Sequence, residues 1–459
     1  MREGRSPSSV EPGWGWLGAV SLVLALVGIV LLVAGLFESA LGGLDGGRPT
    51  NTAFVVGAVC GLLSVLAGVV GWLKTKGRGA VRAWPAVAGL IGGLVLVVGV
   101  RGAYENRPGP IGACPNWDSP PPAGMTGTFG VLNGVATTSP SDAWAVGWCG
   151  RPWTLILRWN GSTWERERSP NGSTGHNYLY GVAATSSSDA WAVGEYAAEG
   201  VSANLPLILH WDGRRWTQKP TPTDGQSFYS LRAVAATSSS DAWAVGLDPS
   251  GAVILHWDGT AWTRQLLPEL GPSIYPSLFG VAATSPSNAW AVGSYGGFGE
   301  PVRGVIFRWD GSTWSSQLIP HVGTGGNSLA AVSATSSSNA WAVGSYEDGT
   351  GQRALILHWD GDAWTHQPSP EASIGIGSGE SLNGVAATSP SSAWAVGTRG
   401  QDGLGLCWNG STWTERSSPS VGTGANILNG VTALSAAKGW AVGVNSDGTV
   451  ARTLVAPCQ

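Results

Sequence analysis

Ser188-Asp189-Ala190-Trp191-Ala192-Val193-Gly194 is the stretch that decides the fold. Its core, Ala-Trp-Ala-Val-Gly, recurs around Trp144, Trp191, Trp243, Trp290, Trp341 and Trp394, and as Gly439-Trp440-Ala441-Val442-Gly443 near the end. The copies are spaced by 47, 52, 47, 51, 53 and 46 residues. Repeats of roughly 50 residues point to a propeller or a solenoid. Each copy reads as four short strands. The first resembles Gly181-Val182-Ala183-Ala184-Thr185 and the second is the Trp motif. The third resembles Leu207-Ile208-Leu209-His210-Trp211, and an Asp-Gly or Asn-Gly turn leads into a fourth that begins with Trp. Such a turn between apolar runs is a strong hairpin signal. Four strands per unit is the pattern of a propeller blade.

Six copies carry the complete hairpin, from Trp159/Trp164 to Trp408/Trp413, and the last stops at Pro457-Cys458. Trp117 stands 27 residues before Trp144, the interval that separates Trp164 from Trp191. Asn116-Trp117-Asp118 is therefore expected to supply the missing fourth strand. The expected fold is an all-β seven-bladed β-propeller over 114–459. In the overlaid repeats Cys458 takes a hairpin Trp position and Cys114 a turn position, so a Cys114–Cys458 disulfide is expected, with two free thiols as the alternative. A bridge closing so long a loop contributes about 4 kcal/mol in chain-entropy estimates. Cys149 and Cys407 fall in different blades and are read as unpaired.

The propeller is expected to follow three transmembrane α-helices. Leu17–Phe37, Ala53–Leu73 and Trp84–Val100 are uncharged apolar runs of 21, 21 and 17 residues. About 20 residues cross a hydrocarbon core, with ~17 as the lower edge. The expected organisation is a cytoplasmic tail (1–16), a membrane segment (17–100), a linker (101–113) and the propeller (114–459). Lys74, Lys76, Arg78 and Arg82 crowd the second loop, which places it and the N-terminus in the cytoplasm. The propeller then lies outside the cell membrane, in a multi-pass protein whose first partner is the lipid bilayer. The short linker enters on the tight-turn side and would leave the variable face pointing outward.

These strings resemble the tectonin (tachylectin-like) propeller repeat, and more closely the bacterial propellers of unknown function built on AWAVG and WDG strings. The resemblance covers about 114–458 and implies architecture rather than activity. Asp310-Gly311-Ser312-Thr313-Trp314 also resembles a shortened Asp-box of sialidase-like propellers.

Composition narrows the function. Residues 1–100 hold seven basic and four acidic residues, and 101–459 hold 18 and 25, so the outer part is acidic. Nucleic acid, which needs a basic face, is not an expected partner. No phosphate loop, dinucleotide fingerprint or metal-ligand spacing occurs, so no cofactor and no metal are expected. The repeated Trp residues are read as inter-blade core. His210, His256 and His358 are read as solvent-facing strand residues, and Asp142, Asp189 and Asp241 as turn caps. Catalytic residues are not expected, because no blade carries a unique acid pair such as a glycosidase requires.

The strand order puts the two tight turns of every blade on one face and the two variable connections on the other. Function is expected on the variable face, since binding residues concentrate on loops held by a rigid scaffold. The candidates are Trp148, Trp153, Tyr196, Tyr229, Tyr295, Arg303, Tyr346, Arg353 and Arg399. Aromatics mixed with arginine suit contact with a protein or a cell-envelope glycan. The expected function is a non-enzymatic extracytoplasmic binding module. The alternatives are an assembly or scaffold factor for a membrane complex and, further off, a sialidase-like glycosidase.

Overall fold

The computed structural model describes residues 130–150, 153–197, 203–222, 229–296, 301–370, 379–417 and 424–446, and the backbone of 451–458. All belong to the second of the chain's two units, Pro108–Gln459. They form six four-stranded antiparallel sheets and one three-stranded sheet, each in sequence order. We number the four-stranded blades 1 (130–167), 2 (177–218), 3 (230–264), 4 (277–316), 5 (327–366) and 6 (380–416); the three-stranded sheet spans 425–458.

The expectation of a seven-bladed propeller behind three transmembrane helices is thereby corrected. Six blades are complete, and the last sheet stops at its third strand, Ala451–Cys458. The described residues contain no helix, hence none long and apolar enough to cross a membrane. The three apolar runs, the linker and the expected strand at Trp117 lie outside the described residues, as do Cys114 and the side chain of Cys458. The backbone of Cys458 does occupy the hairpin-Trp place, opposite Gly439 as Trp211 is opposite Ala190. Cys149 is disulfide-bonded, which corrects its reading as unpaired, and Cys407 is a free, buried thiol.

Blade 2 shows why the repeat folds this way. Its strands are Asn177–Ser186, Asp189–Ala197, Asn204–Trp211 and Trp216–Gln218. Trp191 in the second strand is fully buried, but its tryptophan partners belong to the next blade. Its ring centroid lies 5.1 Å from Trp257 and 5.1 Å from Trp262, tilted 56° to one and 90° to the other. Trp144, Trp243, Trp290 and Trp341 make the same clasp on blades 2, 4, 5 and 6 at 5.0 to 5.3 Å. Trp440 of the three-stranded sheet clasps Trp159 at 4.8 Å and Trp164 at 5.3 Å, so the sheets close into a ring. Tilted and edge-on aromatic pairs contribute about 0.5–1.5 kcal/mol beyond their buried area. The third-strand Trp has a second role. Trp211 Nε1 donates to Ser187 O and Trp257 Nε1 to Ser239 O, which ties the hairpin to the tight turn of its own blade.

The glycine that ends each Trp motif is dictated by a close approach. A Cβ on Gly194 would stand 1.8 Å from the carbonyl oxygen of Tyr178, and one on Gly443 1.9 Å from that of Ile427. Around the axis the innermost strands also touch through glycine. A Cβ on Gly134 would meet Tyr180 O at 2.9 Å, and one on Gly430 would meet Asn133 O at 2.9 Å. Asn429 Nδ2 donates to Leu132 O at 2.9 Å, across 297 residues of sequence.

Because the clasp joins neighbouring blades, Trp243→Ala is expected to lower unfolding free energy by about 3–5 kcal/mol. Denaturant titration measures this, and a loss no larger than that of a surface substitution would contradict the assigned role.

Candidate functional site

The repeated polar residues prove structural. His210, His256 and His358 are half-buried, which corrects their reading as solvent-facing. Each ring lies on the Trp of its own second strand, with centroids 4.2, 4.0 and 4.2 Å apart. Arg158 and Arg308 take the same place by cation–π contact, each 4.8 Å from the ring centre of Trp144 and Trp290 respectively. The residue at the start of the second strand holds each of the three rings and the Arg158 guanidinium, whereas Arg308 donates to Ser337 O. His256 Nε2 is 2.8 Å from Asp241 Oδ1, while Asp241 Oδ2 accepts the hydroxyl of Thr237. Blade 2 repeats this with Thr185, Asp189 and His210. Burial pushes the Asp189 carboxyl up, but hydrogen bonds from His210 and Thr185 outweigh it and leave it below its ordinary range. Thr–Asp–His strings resemble a catalytic relay, yet here the hydroxyl donates to the carboxylate and the set recurs in the neighbouring blades 2 and 3.

The variable face carries what does not repeat. Most of its arginines are already neutralised. Arg264 pairs with Asp248 at 2.5 Å and Arg353 with Asp348 at 3.0 Å. Arg399 bonds Glu380 at 2.7 Å and Glu415 at 2.8 Å. Burial opposes the Arg399 charge, but those two carboxylates more than offset it and its pKa rises. Tyr229 is buried at 4% exposure with its phenol in the core, so its expected place on the surface is corrected. Tyr196 and Tyr346 lean on the inter-blade core, and Tyr346 meets His366 edge-on at 5.9 Å. Trp153 opens its strand opposite Cys149. Across the ring, then, these candidates are spread out rather than gathered.

Two places do gather side chains. Near the axis, Trp148 meets Tyr178 edge-on at 5.5 Å, and Tyr178 lies 6.2 Å from Tyr180. Tyr180 donates to Glu195 Oε1 at 3.0 Å, and the Arg232 guanidinium sits 4.3 Å from its ring centre. Burial and then the Glu195 charge push the Tyr180 phenol far above its ordinary range.

The second place is a cleft of about 250 Å³ on blade 4. Tyr295 and Arg303 face each other across the second and third strands at its mouth. Leu270 reaches it from the connection between blades 3 and 4, Leu318 and His321 come from the connection to blade 5, and Asn327 opens the first strand of that blade. Arg303 is exposed and has no ion pair or hydrogen bond among the described residues. Leu318 is 97% exposed and Leu266, its counterpart on blade 3, 93%. A Leu left in water forgoes about 1.5–3 kcal/mol of burial free energy. Among the described residues the exposed large apolar side chains are Leu266, Tyr275, Val302 and Leu318, all between the end of blade 3 and the start of blade 5. Tyr295 and Arg303 were legible in the sequence, and the leucines were missed. The signal was there, because other blades carry Pro220, Pro368, Arg168 or Ser417 at the same repeat position. No cluster of metal-binding side chains occurs among the described residues.

No protein-family model and no curated protein matches the sequence. Among solved structures the chain is similar to YCF48 bound to D1 peptide, at 18% identity and a TM-score of 0.45, covering 72% of this chain and 96% of that one. It is also similar to the six-bladed fucose-recognising lectin of Aleuria aurantia, at 13% and 0.42, covering 66% and 100%. A third likeness is to a PL25 ulvan lyase bound to its saccharide, at 10% and 0.48, covering 72% and 94%. At these identities and scores none of them bears on what this chain binds. The class is defined by the chain's own geometry: a β-propeller with Trp-clasped blades.

His358 offers a readout of the structural ring. Its partner is Asn339 Oδ1 at 2.9 Å rather than a carboxylate, and burial holds its pKa below the ordinary 6.5. The unfolded chain therefore takes the proton more readily. This contribution to stability is complete above about pH 6.5 and is lost as pH falls through the lowered folded value. Denaturation midpoints at about pH 7.5 and about pH 5 should fall on acidification, and by less in Asn339→Asp, which restores the carboxylate. An equal fall in both proteins would contradict the assignment.

Proposed function

We propose that the propeller is a non-enzymatic binding module that takes a protein partner on its variable face, at blades 3 and 4. The observation that supports this most is the segregation of exposed apolar side chains to residues 266–318, of which Leu318 lines the cleft. Exposed apolar area confined to one sector marks interaction surfaces. A glycan partner is the second reading. It is favoured by the axial cluster of Trp148, Tyr178 and Tyr180 with Glu195 and Arg232, since aromatic faces flanked by charged hydrogen-bonding groups suit sugar rings. A photo-crosslinking residue at Leu318 is expected to trap protease-sensitive adducts in cells, and one at Ser312 on the tight-turn face is not. Equal yields from both positions would remove the assignment to blades 3 and 4, and retention of a saccharide that depends on Tyr178 would favour the glycan.

We further propose that the propeller works on the outer side of the cell membrane. Supporting this are the basic cluster Lys74–Arg82, the acidic outer portion, and the disulfide at Cys149, a bond that persists in oxidising compartments. The chain's lysines are Lys74, Lys76, Lys219 and Lys438. A membrane-impermeant amine reagent applied to intact cells should modify Lys219 and Lys438 and spare the first two; the reverse pattern would overturn the orientation.

A further inference from the structure

We propose that the blade 4 cleft recognises an acidic–apolar polypeptide segment, an apolar side chain seated on Leu270 and Leu318 with an adjoining carboxylate on Arg303. This rests on the reading of the variable face as a protein-binding surface and names the chemistry of the partner.

Three observations converge on it. First, Arg303 differs from its neighbours in pairing. Arg264, Arg353 and Arg399 each hold an internal carboxylate. Arg303 is exposed and has no such partner among the described residues, and the residues lining the cleft include no acid. In a portion of the chain with 25 acidic and 18 basic residues, the cleft is a local cationic spot. An arginine fork matches a carboxylate in geometry and in charge. Second, the apolar component is exposed in place. Leu318, 97% accessible, lines the cleft together with Leu270, and Val302, 45% accessible, precedes Arg303 and accepts the amide of Asn327. Third, size selects the occupant. A space of about 250 Å³ lies below the ~300–1,000 Å³ typical of sites that engulf a whole small ligand. It suits one or two side chains of a longer chain whose remainder runs over the exposed leucines. Tyr295 and Asn327 frame the cleft with polar edges, and His321 adds an exposed donor at the rim. A basic segment would meet Arg303 as a like charge and is rejected, which gives selectivity as well as affinity. A C-terminal carboxylate has the same chemistry as an Asp or Glu side chain, and the two sources are separated by the choice of probes.

The test uses the purified full-length protein on an array of short peptides of constant apolar content. One set is C-terminally amidated and carries Asp or Glu beside the apolar residue. A second set carries Lys there. A third has no charged side chain and a free C-terminal carboxylate. Acidic peptides should be retained about tenfold over their Lys counterparts, a charge-assisted hydrogen bond's worth. Arg303→Glu should reverse that order, Arg303→Lys should keep it in weakened form, and Ser312→Glu on the opposite face should leave it unchanged. An unaltered thermal midpoint in the exposed, unpaired Arg303 variants shows that folding is not the cause. Preference for the third set over the first assigns the site to chain termini. Equal retention of acidic and Lys peptides, or an acidic preference that survives Arg303→Glu, overturns the inference. If no peptide is retained while crosslinking at Leu318 still traps a protein, the inference falls and the protein-binding reading stands. If charge-selective retention appears without any crosslink in cells, the reverse holds.

Discussion

The second-strand tryptophan is made by one blade and buried by the next, and the rest of the architecture depends on that transfer. Trp191 has nothing in blade 2 equivalent to the pair Trp257 and Trp262 that encloses it. No blade can therefore complete its core alone, as in other repeat architectures where neighbours supply each other's interfaces. A linear stack would leave one clasp empty at each end. Here the chain bends around until Trp440 finds Trp159 and Trp164, and closure covers the sheet faces that an open array would leave bare at its ends.

The other repeated residues follow from bringing the blades this close. Gly194 and Gly443 exist because a Cβ would collide with a carbonyl oxygen of the adjoining strand. The histidines and arginines at the third-strand position roof the buried indoles, and the Asp or Asn below them satisfies the polar edge of that roof. Turn aspartates such as Asp258 accept the Thr260 hydroxyl and the amides of residues 260 and 261, which holds the carboxyl at about 2. Almost all repeated polarity is thus used up inside the scaffold. What is left over for recognition is what does not repeat: the blade 4 cleft, the exposed leucines beside it, and the Trp–Tyr–Arg cluster near the axis.

That distinction explains why a scan of single residues saw the surface only in part. Arg303, Arg353 and Arg399 look alike as letters on comparable loops. Their difference lies in whether a carboxylate from another strand arrives beside them, as Glu380 does for Arg399 and none among the described residues does for Arg303. Tyr229 and Tyr295 likewise both stand at strand ends, but one phenol is buried and the other edges a cleft. Leu266 and Leu318 pass unnoticed in composition and become conspicuous only when the repeats are superposed and their exposure is known.

The sequence by itself determined the strand pattern, the hairpin turns, the blade-to-blade order of the tryptophans and the division into a constant and a variable face. Each of these is encoded locally: alternation within a strand, Asp-Gly or Asn-Gly between strands, and a fixed interval from one Trp to the next. Only the tertiary structure decided that Trp440 meets Trp159 and Trp164, that His210, His256 and His358 are packed rather than solvated, that Cys149 is bonded, and which arginine has no carboxylate beside it among the described residues. Those outcomes turn on contacts between residues on different strands, some paired across one blade and some brought together by ring closure, which local periodicity does not record.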